Sequence, residues 1–357
     1  MWFVSDNAAP AAPEILAALQ DANRGYAPSY GKDAITERMV ARIRDIFEAP
    51  KGAVHLVSTG TTGNALALAC LCPPWATIYC HRNAHVEEDE CAAPEFYTGG
   101  AKLTLLEGPH AKIAPDQFSA ALDFTGRAGV HNVQRGALTL TNSTELGAVY
   151  SPDEIHALAD LAHARGVPVH LDGARFANAL VSLGCSPAEM TWKAGVDILT
   201  LGGTKNGLLG VEAVVLFDPE LSWEFQLRRK RAGHLLSKYR YLAAQMDAYL
   251  ANGLWLDLAR RANTRAQELS SGLTRLPGAR LNHPTEANAV FASFPRAGHR
   301  ALKAAGAEYY LWPGNQSLDG PGDEPLSARL VCSWSTEAEE VSAFLSVLAR
   351  EVAPSAA

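Results

Sequence analysis

A chain of 357 residues is long enough for one large domain and a smaller one. Apolar residues make up 48% and charged residues 19%, the balance of a folded soluble protein, and a net charge of −7 argues against a nucleic-acid surface. No apolar run approaches the roughly 20 residues that cross a membrane. The start MWFVSDNAAP lacks the basic region and apolar core of a signal peptide. The cysteines (70, 72, 80, 91, 185 and 332) show no disulfide spacing, so reduced thiols in the cytoplasm are expected.

The first clear helix is DAITERMVARIRDIF (33–47), with Ile35, Met39, Ile43 and Phe47 on one face. AVHLVS (53–58) reads as a strand and TGTTGNALALACL (59–71) as a turn opening into a helix. Further strands are TIYC (77–80), KLTLL (102–106) and ALTLT (137–141). SPDEIHALADLAHARG (151–166) is a helix with Ser151 as N-cap, Pro152 in the first position and Gly166 past the end. VPVHLD (167–172), VDILTLGG (196–203) and VEAVVLFD (211–218) complete seven strands. Strands alternating with helices predict a mostly parallel α/β sheet covered on both faces. Helical patterns dominate from about residue 220 to 275. Strand candidates follow at 287–294, 307–312 and 328–334, then a helix from Glu337, an α+β character. LPGARLNHP (276–284) reads as a turn. The expected division is an N-terminal segment 1–24 that reaches the active site, a large domain 25–245 and a small domain 246–357.

In open α/β sheets ligands bind beyond the carboxyl ends of the strands, which directs attention to four places. STGTTGN (58–64) offers glycines and a helix N-terminus, a phosphate cradle or else a tight turn with hydroxyl caps. It lacks the complete fingerprint of a dinucleotide site or P-loop. In HRNAHVEEDE (81–90), His81 and His85 stand four apart with acids following. That spacing suits a metal on a helix, a polar loop, or a flat imidazole stacked on a planar ring; no metal ligand is assigned. In HLDGAR (170–175), Asp172 ends an apolar strand. A carboxylate there needs a partner, either Arg175 or a cationic ring nitrogen; in the second case Arg175 is free to grip a carboxylate. Finally, TLGGTKNGLLG (200–210) sets Lys205 in an apolar, glycine-rich stretch, in a chain with only nine lysines against 22 arginines. Desolvation lowers an amine's pKa and makes it a better nucleophile toward a carbonyl.

One ligand satisfies all four. A phosphate takes the glycine turn, a planar ring takes the imidazole, a protonated pyridine nitrogen takes the buried carboxylate, and an aldehyde takes the amine. That ligand is pyridoxal 5′-phosphate.

The motifs SYGKD, TGTTGN, CHRNAHVEEDE, LDGARFANA and GGTKNG together resemble the threonine aldolase family, pyridoxal-phosphate enzymes of fold type I grouped with the β-eliminating lyases. The nearest branch is the low-specificity L-threonine and phenylserine aldolases. The resemblance implies an aspartate aminotransferase-like fold with a seven-stranded sheet. It also implies retro-aldol cleavage of L-β-hydroxy-α-amino acids to glycine and an aldehyde, in a homodimer or homotetramer with shared active sites. By the same resemblance Lys205 forms the Schiff base, Asp172 faces the pyridine nitrogen and His85 stacks on the ring. Thr59, Gly60 and Thr61 hold the phosphate. Arg175 and Arg329 hold the substrate carboxylate, with Ser5 near the same group. Tyr30 comes from across a dimer interface, and His131 is placed near the β-hydroxyl, so that His85 and His131 are both base candidates. Two departures stand out. Glu145 replaces a histidine that many members carry, and GHLLSKYR (233–240) replaces a glycine-rich segment, leaving open whether Lys238 or Arg240 reaches the phosphate. The runner-up activities are β-elimination and racemisation on similar amino acids. From other classes, a nucleotide-binding oxidoreductase is disfavoured by the incomplete glycine fingerprint, and a non-catalytic module by the four charged residues in place.

Overall fold

The computed structural model describes residues 1–352. Seven strands build the larger sheet: β1 (Ala53–Val57), β2 (Ala76–His81), β3 (Lys102–Leu106), β4 (Gln134–Thr141), β5 (Val169–Gly173), β6 (Ile198–Leu201) and β7 (Glu212–Leu216). Their order is β1-β7-β6-β5-β4-β2-β3. All run the same way except β7, which is antiparallel to both neighbours. The seven strands expected from the sequence are thus the seven observed. The central strands β5 and β6 are buried along their whole length, which is why they read as unbroken apolar runs rather than alternating ones.

The helices flanking this sheet are α1 (Pro13–Ala22), α2 (Ala34–Ile46), α3 (Gly60–Leu71), α4 (His85–Glu88), α5 (Ala93–Thr98), α6 (Pro115–Phe124), α7 (Pro152–His163), α8 (Phe176–Leu183), α9 (Ser222–Arg231) and α10 (Arg240–Leu250). The α7 start is a full capping box. Ser151 Oγ accepts from Glu154 N at 3.2 Å, and Glu154 Oε2 accepts from Ser151 N at 2.8 Å. Helix α3 is buried from Thr62 to Ala69; its sequence is apolar or small on every face because it lies between the sheet and other helices.

A 20-residue helix, α11 (Leu254–Leu273), leads into a second sheet. This sheet has β8 (Arg280–Leu281), β9 (Ala289–Pro295), β10 (Tyr310–Leu311) and β11 (Pro325–Val331) in the antiparallel order β10-β11-β9-β8. Helices α12 (Arg296–Ala304) and α13 (Ala338–Val352) complete the region. The structure differs from expectation in two details. The turn read at 276–284 contains the short β8, whose Arg280 and Leu281 pair with Ser293 and Ala292. The strand read at 307–312 shrinks to two residues, because Ala307 closes a turn onto Leu302 and Pro313 has no N–H to continue the ladder.

Two hydrophobic cores result, and α11 serves both. Trp255, Leu258 and Ala259 pack with the large sheet. Ala266, Leu269 and Leu273 pack with Phe3, Phe294 and Phe344 under the small one. The chain start is pinned to the small sheet, with Phe3 N donating to Glu308 O at 2.7 Å and Val331 N donating to Phe3 O at 2.9 Å. Ser5, Asp6 and Asn7 are thereby carried to the carboxyl edge of the large sheet. All six cysteines are free thiols. Among the described residues no helix is long and apolar enough to cross a membrane.

Candidate active site

The carboxyl ends of β1, β5 and β6 meet at a cavity of about 340 Å³ lined by Ser58, Thr59, Gly60, Thr61, Asn64, His85, Asp172 and Lys205, among others. A larger hollow of about 1250 Å³ lies elsewhere, between α7, α8, α11 and α13, and contains none of these groups.

One wall is the N-terminus of α3. Thr59 is its N-cap, with extended backbone, and its Oγ1 accepts from Thr62 N at 3.2 Å. The N–H groups of Gly60 and Thr61 have no partner within the helix, and a Cβ at residue 60 would meet nothing within 4 Å. The protein thus leaves an open space directly above a helix dipole's positive end, which suits a phosphate. Behind the turn, His234 bridges Ser58 Oγ (3.0 Å to Nδ1) and Thr62 Oγ1 (3.0 Å to Nε2). Burial pushes this imidazole below its ordinary range, so it bridges the two hydroxyls as a neutral ring.

Asp172 is the second wall. It pairs in register with Thr141 on β4 and Thr200 on β6 and is only 2% exposed. Oδ1 accepts from Ala174 N at 3.0 Å and Oδ2 from Asn64 Nδ2 at 3.1 Å. Arg175, the structural partner weighed from the sequence, bonds elsewhere.

Lys205 stands in a short 3₁₀ turn, Thr204–Asn206, directly after β6. A Cβ on Gly202 would lie 2.3 Å from Ala174 O, and one on Gly203 2.2 Å from Leu208 Cδ1. These glycines serve close backbone packing, which brings the lysine's strand end against the Asp172 loop. Asn206 anchors the turn through Tyr249 Oη at 2.8 Å and Trp255 O at 2.9 Å. Beside Lys205, Glu212 is buried and accepts from Gly203 N at 2.6 Å. Burial raises its carboxyl to about 7.

His85 opens α4, and its Nδ1 lies 2.8 Å from Glu90 Oε1. The hydrogen bond to Glu90 holds this imidazole above its ordinary range, against the effect of burial. Where the chain start meets the large sheet, Arg175 donates to Asp6 through Nε at 2.7 Å and Nη2 at 2.9 Å. Burial works to raise the Asp6 carboxyl, but the Arg175 charge outweighs it and holds the group at about 2. Arg329, on β11, sits near enough to Arg175 that burial and this second guanidinium both lower its pKa, while Glu145 opposes them. Ser5 caps the turn carrying Asp6, its Oγ accepting from Asn7 N at 3.2 Å.

An anion cradle, a buried carboxylate, an imidazole and an amine thus face one cavity, the set that pyridoxal 5′-phosphate requires. Buried polar atoms without partners, Asn64 Oδ1 and Thr204 Oγ1, belong to residues lining the same cavity.

The model of the beta-eliminating lyases matches residues 3–295. The chain belongs to the beta-eliminating lyase family. It is 41% identical over 340 residues to the low specificity L-threonine aldolase of Pseudomonas aeruginosa, covering 95% of this chain and 94% of that one. Among solved structures, the threonine aldolase of Leishmania major superposes with a TM-score of 0.90 at 27% identity, over 99% of both chains. A serine palmitoyltransferase of Sphingomonas wittichii shares the fold, with a TM-score of 0.69 at 13% identity, over 98% of this chain and 86% of that one. The fold is that of fold-type I pyridoxal-phosphate enzymes.

Within this lyase-family chain, most of the expected site residues converge and two do not. Tyr30 is 48% exposed, has φ of 60°, and packs with Lys230, whose Nζ is 5.5 Å from its ring. It is not part of the cavity wall. His131 does not line the cavity of its own chain either. It lies exposed in a 3₁₀ turn, Gly129–His131, before β4, whereas Thr141 at the far end of β4 pairs with Asp172. A strand of this length spans roughly 25 Å, so His131 sits at the opposite edge of the sheet from the site in its own chain. Arg240 is directed to Gly25 O at 3.0 Å and Tyr241 Oη at 3.3 Å.

Five residues of this family member went unassigned in the sequence: Asp6, Asn64, Glu90, Glu212 and His234. Glu212 carried a signal, since a glutamate beginning an apolar strand needs an explanation. Asp6 and His234 did not, because their partners lie 169 and more than 170 positions away.

Proposed function

We propose that this protein is an aldolase that cleaves L-β-hydroxy-α-amino acids of the threonine, allo-threonine and phenylserine type into glycine and an aldehyde. The observation that carries the reading is the meeting of Lys205, Asp172 and His85 at one cavity above the α3 N-terminus. The Pseudomonas aeruginosa relative, a low specificity L-threonine aldolase, supports the substrate class. Bound here, pyridoxal 5′-phosphate supplies an electron sink for the carbanion left at Cα.

The chain's own residues divide the rest. Thr59, Gly60 and Thr61 hold the phosphate at the helix N-terminus, with His234 bracing Ser58 and Thr62. Asp172 holds a proton on the pyridine nitrogen, as a buried carboxylate favours a cationic partner. Lys205 Nζ is the amine that would hold the cofactor through its aldehyde. Arg175 and Arg329 grip the substrate carboxylate, with Ser5 beside them, and fix rotation about the N–Cα bond; that setting selects which bond at Cα breaks. Asp6 keeps Arg175 from swinging. His85 takes the β-hydroxyl proton. Tyr30 and His131, exposed in one chain, suit an active site completed by a second copy in a homodimer or homotetramer. The acidic charge and free thiols support a cytoplasmic setting.

The family description also favours a second reading, β-elimination at the same site, with racemisation on similar amino acids as the further alternative. Incubation with L-threonine separates them. Glycine and acetaldehyde mean aldol cleavage, 2-oxobutanoate and ammonia mean elimination, and D-allo-threonine means racemisation at Cα. Lys205→Ala should lose both the yellow absorbance of the loaded enzyme and turnover; a variant that keeps both would sink the assignment.

A further inference from the structure

The imidazole in the cavity is held by a carboxyl group that the reaction scheme leaves without a task. Glu90 has a side chain with 0% exposure, an expensive place for a potential charge. Its Oε1 lies 2.8 Å from His85 Nδ1 and accepts from Asn64 Nδ2 at 2.8 Å. The same Asn64 nitrogen reaches Asp172 Oδ2 at 3.1 Å. A four-residue chain, His85–Glu90–Asn64–Asp172, therefore joins the ring that faces the substrate to the carboxylate at the sheet edge.

The hydrogen-bond roles follow by elimination. The Asn64 atom between two carboxyl oxygens must be its NH2, because a carbonyl there would face two acceptors. Glu90 Oε1 is therefore already an acceptor toward Asn64. Burial raises the Glu90 carboxyl, against the hydrogen bonds from His85 and Asn64; ionised, its Oε1 only accepts, and the hydrogen on its contact with His85 then belongs to Nδ1. A neutral His85 carries its proton on Nδ1 and its lone pair on Nε2.

We propose that Glu90 is a positioning residue for His85: it locks the ring in the Nδ1–H tautomer, so that Nε2 exchanges the proton with the substrate's β-hydroxyl, and Asn64 ties the pair to Asp172. The proposal rests on the aldolase reading. In the step, the hydroxyl O–H bond breaks and Nε2–H forms. The oxygen's electron pair becomes the new C=O bond of the aldehyde, and the Cα–Cβ pair stays on Cα. The imidazolium remains hydrogen-bonded to Glu90 throughout. Four charged groups face the ring: Glu90, Asp172 and Glu145 favour its cationic form, and Lys205 opposes it. Asp89 lines the same cavity.

The test is nitrogen-15 NMR of the histidines in the cofactor-free protein, with His85 assigned from His85→Gln. The proposal expects a protonated Nδ1 and a bare Nε2 above the ring's titration midpoint. In Glu90→Gln that midpoint should fall by about one pH unit. In the loaded enzyme the acid limb of kcat/KM should move to lower pH by a similar amount. kcat should drop about tenfold or more while KM stays within a few-fold. An Nε2–H tautomer at His85 in the wild-type protein overturns the proposal whether or not Glu90→Gln folds. So does an unchanged midpoint in a folded Glu90→Gln. Undiminished aldehyde release by His85→Gln would overturn the proton-transfer role, whereas failure of the aldolase reading would show as no aldehyde from the wild-type enzyme with the tautomer result still standing.

Discussion

Arg175 meets Asp6 in a two-point ion pair buried at the junction of the chain start and the large sheet, and Asn288 Nδ2 adds a third bond to the same carboxylate at 2.9 Å. The pair joins three parts of the molecule. It also leaves Arg175 Nη1 outside the two-point contact, on a guanidinium that cannot rotate without breaking both bonds.

Removing one member of a buried pair strands the other, at a cost of about 3–5 kcal/mol. Asp6→Asn is therefore expected to lower stability by several kcal/mol near neutral pH and to raise KM for the amino acid more than it lowers kcat. The folded carboxyl titrates at about 2 against 3.8 in an unperturbed chain. Its contribution is present above pH 4 and is lost as the pH falls through about 2. Urea unfolding at pH 5 and at pH 2.5 should show the gap between wild type and variant narrowing at the lower pH. A constant gap would contradict the assignment.

Asp172→Asn retains the shape and one of the two accepted bonds, from Ala174 N or from Asn64 Nδ2, but loses the charge. The variant should still take up pyridoxal phosphate and turn yellow. Aldehyde release should fall roughly 100- to 1000-fold, the usual loss when one preorganised electrostatic contact is removed. Near-normal rates would argue that ring protonation is not needed.

Glu212 reverses the usual sign for a carboxyl. Its folded pKa is raised by burial to about 7 from 4.5. The stability it confers is complete below pH 4.5 and is lost as the pH rises through 7. Glu212→Gln keeps the acceptor for Gly203 N and removes the titration. Compared in cofactor-free form, wild type should lose roughly 3 kcal/mol relative to this variant between pH 4 and pH 8. Parallel stability curves would show that folding leaves the Glu212 carboxyl unshifted.

His234 supports the phosphate turn from behind without lining the cavity. His234→Ala should weaken cofactor binding about five- to tenfold, the worth of one hydrogen bond. Spectroscopic titration measures this directly, and kcat at saturating cofactor should stay within about twofold. A large loss of kcat with unchanged cofactor affinity would move His234 from the cradle to the chemistry.

The division between what was legible and what was hidden follows the range of the interactions. Strands β1 to β7, the capped α7, the turn TGTTGN and the lysine at the end of β6 are local patterns of polarity and backbone preference, so the sequence by itself determined them. It also determined which residue types stand at the carboxyl ends of strands, and hence the cofactor they fit. The tertiary structure decided which of these groups meet. Arg175 turned to Asp6 and Asp172 to Asn64, because a buried charge takes the best donor or acceptor that folding brings within reach, and that choice has no trace in local sequence. His131 stands ten positions before Thr141 in the chain, but β4 lies between them and carries them to opposite edges of the sheet. Spacing along a sequence fixes a strand's length; only the packed sheet fixes which of its ends faces the ligand.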